Sequence, residues 1–455
     1  MNPETQPVAR NPEPQPVRQA GGTRKTYRNP WAWIPSLYFA EGIPYVVVMT
    51  VSVIMYKRMG ISNTDIALYT SWLYLPWVIK PLWSPIVDIL RTKRYWIVAM
   101  QLIVGAGLAA VALMIPAEGF FRYTLAFLWL IAFSSATHDI AADGFYMLAL
   151  TEKEQSFFVG IRSTFYRIAM ITGQGLLVML AGYFEEHPLT SADNAIASAW
   201  AVTFFVLAGL FLAFFVYHRF ILPYPVIDRP AASETGAVAR EFVATFRSFF
   251  RKPTVGLMLA FLLLYRFAEA QLVKLAQPFM LDTAEAGGLA LSTTEVGFAY
   301  GTVGVVALTA GGLLGGFVAS KNGLKYWIWW MLLAINLPDA VYVYLSFVRP
   351  EDYLIVNVCV AVEQLGYGFG FTAYMLYMIY VSQGKYQTAH YALCTGFMAL
   401  GMMIPGMFSG WLQEQIGYQS FFLWVMVATI PGFIVARFVS IDPEFGKKTE
   451  KTVQG

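Results

Sequence analysis

Several ionisable side chains lie inside long apolar stretches of this sequence. Asp139 and Asp143 stand four residues apart in one stretch, so they share one face of a helix, and His138 precedes them. A charge at the centre of a bilayer costs about 2.5–3.5 kcal/mol on insertion scales, so such a group faces a cavity or a partner. Two carboxylates this close repel each other when both are ionised, so one of them could carry a coupling proton.

Further polar side chains in other apolar stretches could line the same pathway. Arg167 and Gln174 are seven residues apart and share a helix face, and Glu41 and Glu269 occupy matching depths in two related stretches. Side chains of these types inside apolar stretches predict a solute pathway lined by carboxylates, guanidinium groups and aromatic rings. The residues predicted for the substrate and proton pathway are Glu41, Lys80, His138, Asp139, Asp143, Arg162, Tyr166, Arg167, Gln174, Arg266, Glu269, Lys274 and Glu363.

A structural interpretation of the same charges is open for each group. Asp139 or Asp143 could pair with an arginine of the next helix and lock two helices together. Arg266 and Glu269 are three residues apart, which allows an ion pair within one helix. Asp339 follows a proline, so we expect it near a helix end or beside a pairing partner.

Long helices must position these groups, because the composition is that of a membrane protein. Of 455 residues, 57% are apolar and 13% are charged, whereas a soluble chain carries about 25% charged residues. A membrane helix needs about 20 mostly apolar residues. Twelve runs meet this need, which predicts an all-α membrane protein with twelve transmembrane helices. They lie near 31–57, 64–88, 95–115, 121–149, 157–182, 197–219, 255–281, 291–319, 325–348, 352–381, 387–412 and 419–440.

The lysines and arginines between the runs predict the orientation. Counting span-end residues with the nearest loop, 21 lie on the side of both termini and four lie on the other side. Cytoplasmic loops carry the excess of basic residues. Both termini are therefore predicted to be cytoplasmic in a multi-pass protein.

The sequence also resembles itself across its two halves. Phe39-Ala40-Glu41 recurs as Phe267-Ala268-Glu269, an offset of 228, and further matches follow in order at offsets of 228 to 231. Two parallel six-helix halves around a midplane site are typical of the major-facilitator fold. The predicted divisions are a disordered cytoplasmic tail 1–29, a six-helix half 30–219, a cytoplasmic linker 220–254, a second half 255–440 and a cytoplasmic tail 441–455.

Other classes of function find little support. The two cysteines, Cys359 and Cys394, lie in apolar runs and are expected to pack as small apolar side chains. There is no nucleotide-binding loop, nucleophile–base arrangement or His/Cys metal spacing. The net charge of +3 is small. We therefore expect no enzyme activity, cofactor, metal or nucleic-acid partner, and a monomer.

Four charged residues close the second predicted span: Asp88, Arg91, Lys93 and Arg94. They resemble the major-facilitator loop motif, in which an Asp and basic residues clamp cytoplasmic helix ends in one state. Ser84 and Ile89 depart from that motif, which predicts a weaker clamp. A plainer account is positive-inside charge combined with a helix end-cap, and both accounts can hold together.

Longer motifs identify a family resemblance. The segments LYFAEGIPYVV (37–47), LPWVIKPLWSPIVD (75–88), HDIAADGF (138–145) and RSTFYRIAMITGQG (162–175) resemble the AmpG-like branch of the major facilitators. The resemblance implies a bacterial inner-membrane importer of anhydro-muropeptides, driven by protons, with Lys80, Asp88, Asp139, Asp143 and Arg167 on the family motifs. His138 departs from the neutral Gln of the pattern and could add a titrating group.

The predicted function is therefore proton-coupled import of a muropeptide or related amino-sugar solute by alternating access. An oligosaccharide or drug carrier of the same fold is the first alternative, because the second half matches the family pattern only loosely. A non-transporting sensor on a carrier fold is a further alternative. A sensor of this kind is expected to carry an added signalling domain. Both tails are short, so this alternative ranks below transport.

Overall fold

The structure is a computed structural model that describes residues 28–189, 194–230 and 235–447. Most of the two predicted tails lies outside these ranges. The described residues form helices joined by short connections, with no β-strand among them. The predicted all-α fold is confirmed.

The helices before the linker cover the first six predicted spans. They are the 3₁₀ turn Pro30–Ala32, α1 (Ile34–Val46), a π-helical turn (Val47–Val51), α2 (Ser52–Arg58), α3 (Asn63–Trp72), α4 (Leu75–Leu90), α5 (Lys93–Met114), α6 (Phe120–Ala149), α7 (Glu152–Ile171), a π-helical turn (Thr172–Leu177), α8 (Val178–Glu186) and α9 (Ala195–Ile221).

The helices from the linker onward cover the rest. They are α10 (Thr235–Phe250), α11 (Val255–Leu264), α12 (Phe267–Leu281), α13 (Thr293–Val296), a π-helical turn (Gly297–Gly304), α14 (Val305–Asn322), α15 (Leu324–Asn336), the 3₁₀ turn Leu337–Asp339, α16 (Ala340–Val348), α17 (Tyr353–Ser382), α18 (Gln387–Ala428) and α19 (Ile430–Phe438).

The described residues contain ten helical stretches long and apolar enough to cross a membrane. The last of them has 52 residues and is divided at Gly417, whose φ of 75° is not helical. Residues 63–90 form a further apolar pair, α3 and α4, separated only by Leu73 and Tyr74. With the long stretch taken as two spans and 63–90 as one, the helices agree with the twelve predicted.

Local sequence explains why related helices begin where they do. The Ser62 hydroxyl accepts a hydrogen bond from the Asp65 backbone N–H at the start of α3. The Ser292 hydroxyl caps α13 in the same way, and the Ser292 backbone N–H donates to the Glu295 carboxylate. Such caps satisfy N–H groups that a helix start leaves open. The repeated Ser and acidic residues thus mark equivalent helix starts in the two halves.

Two spans of the second half are interrupted near their middles. The span formed by α11 and α12 breaks at Tyr265 and Arg266, and Arg266 has a non-helical φ of −113°. The span formed by α15 and α16 contains the 3₁₀ turn Leu337–Asp339. Non-helical backbone at membrane depth occurs where protein or a cavity surrounds it. Both interruptions carry acidic residues of the candidate site at or beside them.

The two halves pack closely at one end. The Lys57 ammonium lies 2.6 Å from the Asp282 carboxylate, and the Asn63 amide donates to Gln413 at 2.7 Å. Close glycine contacts accompany these bonds, because a Cβ on Gly410 would lie 1.9 Å from the Asn63 carbonyl oxygen. This end, called the closed end below, lies on the side that carries few basic residues.

The predicted linker 220–254 contains a helix. Its helix α10 packs against α4 and α18, and the Ser248 hydroxyl lies 2.8 Å from His390 Nε2. The sequence did not predict this helix. Cys359 and Cys394 are buried free thiols, as expected for packed side chains.

Candidate functional site: a central cavity and its acidic flank

A cavity of about 1200 Å³ lies between the two halves, opposite the closed end. Its deep wall carries Tyr45, Tyr74, Trp77 and Arg266, and its mouth reaches loop residues such as Lys385. The linker helix α10 borders the mouth. Its other lining residues include Lys80, Asp88, Arg91, Lys93, Asp143, Asp228, Glu241, Phe242, Thr245 and Phe246.

Asp139 is held by two neighbours on α4. The Trp77 indole N–H donates to Asp139 Oδ2 at 3.0 Å, and the Lys80 ammonium lies 3.6 Å from the same oxygen. Trp77 and Lys80 are three residues apart, so both project from one face of α4. The carboxylate, the ammonium and the indole form one polar unit beside the cavity.

Asp143 is paired with Arg162, as the structural interpretation allowed. Arg162 Nη2 lies 2.7 Å from Asp143 Oδ1, and the Asp143 side chain remains 44% exposed towards the cavity. The guanidinium also lies over the Tyr38 ring at 4.4 Å and near the Tyr146 ring at 5.0 Å. The pair therefore joins α6 to α7 while lining the solute space.

Glu41 and Tyr166 complete this region. Glu41 is buried and lies near Asp139, Asp143 and Arg162. Its Oε2 atom has no hydrogen-bond partner in the described part of the chain. The tightly packed Gly42 lets α1 approach α7, since a Cβ there would lie 3.2 Å from the Tyr166 carbonyl oxygen. The structure thus brings together six predicted residues of the first, second, fourth and fifth spans: Glu41, Lys80, Asp139, Asp143, Arg162 and Tyr166.

His138 points to a different place. His138 Nε2 lies 3.1 Å from the Gln101 amide nitrogen, and Gln101 Oε1 lies 2.9 Å from His218 Nδ1. His218 Nε2 in turn lies 2.9 Å from the Ser36 hydroxyl. This buried chain connects α6, α5, α9 and α1, and His138 is not among the residues that line the cavity.

Arg167 and Gln174 lie where the halves cross. Arg167 Nη1 is 3.4 Å from the Thr309 hydroxyl of α14, and Arg167 is absent from the ion pairs of the described residues. A Cβ on Gly301 would lie 2.1 Å from the Gln174 carbonyl carbon, so the two π-helical turns touch through their backbones. Both residues sit at a contact between halves.

Arg266 lines the cavity from the second half, and Lys274 is buried behind Tyr74, whose ring centre lies 5.3 Å from its ammonium. The Arg266 guanidinium donates to the Tyr367 hydroxyl and lies 5.0 Å from the Phe371 ring. No ion pair between Arg266 and Glu269 within 4.0 Å occurs in the described ranges, so the predicted alternative of an intrahelical pair is not formed. The Lys274 ammonium donates to the Thr70 hydroxyl at 2.9 Å, which joins α12 to α3.

Glu269 and Glu363 lie in an acidic cluster with Asp339. One oxygen of each carboxylate lies within 4.8 Å of the others, and all three side chains are buried. The expected position of Asp339 near a helix end is confirmed by the 3₁₀ turn. The cluster itself was missed, because residues from three separate spans form it and the sequence shows no spacing that links them.

Two of the four predicted gating residues, Lys93 and Arg94, contact the linker. The Lys93 ammonium contacts the Asp88 carboxylate, and Asp228 accepts hydrogen bonds from the Lys93 and Arg94 backbone N–H groups at 2.7 and 3.1 Å. The Arg94 guanidinium lies 3.8 Å from the centre of the Tyr224 ring, and Arg91 lies 5.5 Å from that of Tyr95. An acid at a helix start is favourable. Asp228 was not predicted, since nothing in the sequence separates it from other linker residues.

Two bundles of membrane-spanning helices around one large cavity with charged and aromatic side chains in its wall define a membrane carrier. Residues 36–382 match the Major Facilitator Superfamily. This chain belongs to that family, and it is a secondary transporter of the family rather than an enzyme.

Known proteins agree with the more specific resemblance. The chain is 25% identical to the anhydromuropeptide permease of Escherichia coli strain K12 over 406 residues, which cover 88% of this chain and 77% of the permease. A Rickettsia conorii protein named as a transporter of the AmpG type is 23% identical over 420 residues, 89% of this chain and 95% of that protein. The predicted relationship to AmpG-like permeases is confirmed.

The fold has solved counterparts as well. The crystal structure of the nucleoside transporter NupG superposes with a TM-score of 0.65 at 15% identity, covering 90% of this chain and 98% of that one. At this identity the comparison supports the fold alone.

Proposed function

We propose that this protein imports an anhydro-muropeptide or a related amino-sugar and peptide solute together with protons, by alternating access, across a bacterial inner membrane. The observation that carries the proposal is the central cavity. Its volume of about 1200 Å³ exceeds the roughly 300–1,000 Å³ typical of drug-sized sites. A disaccharide with a short peptide needs more room than a single sugar, so the size favours the larger solute.

The lining supplies groups suited to both parts of such a solute. Tyr45 and Trp77 contact edge to face with ring centres 5.2 Å apart, and aromatic surfaces of this kind suit sugar rings. Lys80 and Arg266 also line the cavity, and their positive charges suit the carboxylates of a peptide stem. We assign Asp139 to positioning Lys80 and Asp143 to positioning Arg162, and both acids to binding sugar hydroxyls.

The distribution of basic residues supports an orientation for the two ends. We propose that both termini are cytoplasmic, so the cavity opens towards the cytoplasm and the closed end faces the opposite side. The two halves, 30–219 and 255–440, would then rock as units about the midplane cavity, with the linker 220–254 between them. The protein is proposed to act as a monomer.

Uptake into proteoliposomes tests the proposal. The purified protein is reconstituted, and radiolabelled anhydro-muropeptide is supplied with and without an imposed gradient that makes the interior alkaline. Accumulation that requires both the protein and the gradient is expected. A chitin-type oligosaccharide serves as the competing solute, and Asp139→Asn and Glu351→Gln are compared with the unaltered protein because Glu351 lies on an exposed connection.

The outcomes separate the parts of the proposal. Uptake that ignores the gradient would remove proton coupling, and uptake of the oligosaccharide alone would remove the muropeptide assignment. Asp139→Asn is expected to lose uptake while Glu351→Gln keeps it. Equal uptake by these two variants would exclude Asp139 from the solute site.

A further inference from the structure

The acidic cluster of the second half is built at two helix interruptions. Glu269 lies in the first turn of α12, directly after the break at Arg266. Asp339 ends the 3₁₀ turn between α15 and α16, and Glu363 projects from α17. Interrupted membrane helices in carriers place ion and substrate sites near the midplane. Glu269, Asp339 and Glu363 are called the acidic triad below.

The burial of three carboxylates costs free energy unless another chemical species binds to them. Glu269, Asp339 and Glu363 are 2%, 1% and 1% exposed. In the described ranges, Glu269 Oε2 and both Asp339 oxygens have no hydrogen-bond partner. Glu363 accepts from the Gln364 amide at 2.9 Å. A buried carboxylate without a partner is strongly unfavourable.

A separate group points at the same place. The Tyr342 hydroxyl is fully buried and has no hydrogen-bond partner within 3.5 Å in the described part of the chain. It lies beside the Tyr300 hydroxyl and the three carboxylates. A buried tyrosine hydroxyl normally finds a partner. Its position indicates that the triad is incomplete without a bound species that the hydroxyl can also contact.

The charges around the triad indicate that this species is positive. Across the described residues, no lysine or arginine nitrogen lies within 4.0 Å of the three carboxylates. Arg266 is the basic group that faces Glu269, and Tyr300, Tyr342 and Tyr367 are the other ionisable groups around the cluster. Three carboxylates and one guanidinium leave two negative charges in a setting where charge is costly. Two added positive charges make the cluster neutral.

We propose that the acidic triad, and not Asp139 or Asp143, binds the coupling protons. This assignment rests on the proposed import function. Two protons supply the missing charge and give the carboxyl groups hydrogen-bond donors for one another and for Tyr342. A hard metal ion typically takes six or more oxygen ligands. One oxygen of each triad carboxylate lies within 4.8 Å of the others, and two protons neutralise this group without the larger set of ligands that such an ion needs.

Arg266 connects the triad to the solute. It lines the cavity, lies one turn before Glu269, and donates to Tyr367, which lies one turn after Glu363 on α17. An anionic solute that attracts the Arg266 guanidinium weakens its interaction with Glu269. Solute binding and proton occupancy are thereby linked through one side chain, as coupled transport requires.

Infrared spectroscopy tests proton binding without any solute. Attenuated-total-reflection spectra of the reconstituted full chain are recorded between about pH 5 and about pH 9, a range that brackets neutral pH. A protonated-carboxyl stretch that disappears at alkaline pH is expected in the unaltered protein. Glu363→Gln and Asp339→Asn are expected to lose at least half of this band, while Glu351→Gln keeps it.

Each outcome bears on the proposal. An unchanged band in both triad variants would overturn it, as would a band lost only in Asp143→Asn. Sodium added at constant pH provides a second measurement on the unaltered protein, independent of whether a variant folds. Loss of the band on adding sodium would show that the triad binds a metal cation instead, whereas an unchanged band supports protons.

Transport separates this proposal from the function on which it rests. Glu363→Gln is expected to lose accumulation driven by the pH gradient but to keep exchange of internal for external solute. Equal loss of both activities would overturn the assignment of Glu363 to coupling. If the unaltered protein moves no muropeptide, the proposed function fails, while the infrared result still decides whether the triad binds protons.

Discussion

Asp139 and Asp143 in the first half have cationic partners, whereas the acidic triad of the second half has none within 4.0 Å in the described ranges. Lys80 and Arg162 provide the partners at 3.6 and 2.7 Å. Paired acids at a cavity wall keep their charge and can orient a solute, because the partner offsets the cost of burial. Clustered acids without partners need protons or another cation. The two halves therefore suit different tasks.

The two halves make equivalent contacts at the closed end. The difference between them is therefore specific to the surroundings of their buried acidic residues. The Thr64 hydroxyl donates to Glu414 at 2.5 Å, and the Thr294 hydroxyl donates to Glu186 at 3.3 Å. These are equivalent pairs in the internal repeat, with offsets of 230 and 228. The duplicated sequence thus retains the contacts that close one end and differs in the groups that surround its buried acids.

Loss of Arg162 should give the largest effect on the paired side of the comparison. Arg162→Gln leaves Asp143 and the nearby Glu41 without their cation, which disorders the cavity wall. Solute uptake is expected to fall by about tenfold or more, equivalent to about 1.4 kcal/mol in the barrier. Proteoliposome uptake measures the loss, and thermal unfolding measures the stability of each variant.

A double variant and a matched arginine sharpen that result. Asp143→Asn combined with Arg162→Gln is expected to recover thermal stability but not uptake, because no unpaired charge remains at that pair. Arg122→Gln changes an exposed arginine and should behave as the unaltered protein. Full uptake by Arg162→Gln would mean that the pair has no part in solute handling.

The resemblance of the halves at the closed end predicts equal responses to equivalent substitutions. A Cβ on Gly182 would lie 2.4 Å from the Thr294 hydroxyl, and one on Gly410 would lie 1.9 Å from the Asn63 carbonyl oxygen. Gly182→Val and Gly410→Val should therefore separate the two halves at the closed end. A cysteine at the buried Ala67 is expected to react about fivefold faster with a membrane-impermeant maleimide in either variant, as the open population rises.

Gly316→Val is the control, because no atom lies within 4 Å of a Cβ at that glycine. It should leave the labelling rate unchanged. A response from only one of the two closed-end glycines would show that the halves do not close this end equivalently.

The sequence predicted the fold well because membrane helices have a strong local signal. Apolar runs of the required length determined most helix positions, and the internal repeat explained why α3 and α13 begin with the same capping residues. The linker helix α10 was missed, since it is a surface helix of mixed composition rather than an apolar run. Local sequence patterns therefore predicted the helices better than the contacts between them.

The candidate site was predicted less completely, for a physical reason. Spacing within one helix placed Asp139 and Asp143 together, and the structure confirms that Asp143 contacts Arg162. Asp339 joins Glu269 and Glu363 only through tertiary packing of three spans, so no sequence period reveals the cluster. His138 faces Gln101 instead of the cavity, because neighbouring residues on a helix point in different directions.

The smallest expected effect is on stability, and it compares the two acidic regions directly. Asp339→Asn removes one member of a group of like charges. At about pH 9 the triad carboxyl groups of the unaltered protein lose protons and repel one another, so the variant is expected to unfold at a temperature higher by about 1 °C, equivalent to about 1 kcal/mol. At about pH 5 the unfolding temperatures of Asp339→Asn and of the unaltered protein should agree, because protons already neutralise the triad.

Asp139→Asn should instead lower the unfolding temperature at neutral pH, since Lys80 loses its partner. Glu351→Gln controls for the loss of an acid at the surface, and a lower unfolding temperature of Asp339→Asn at alkaline pH would mean that Asp339 holds a cation other than a proton.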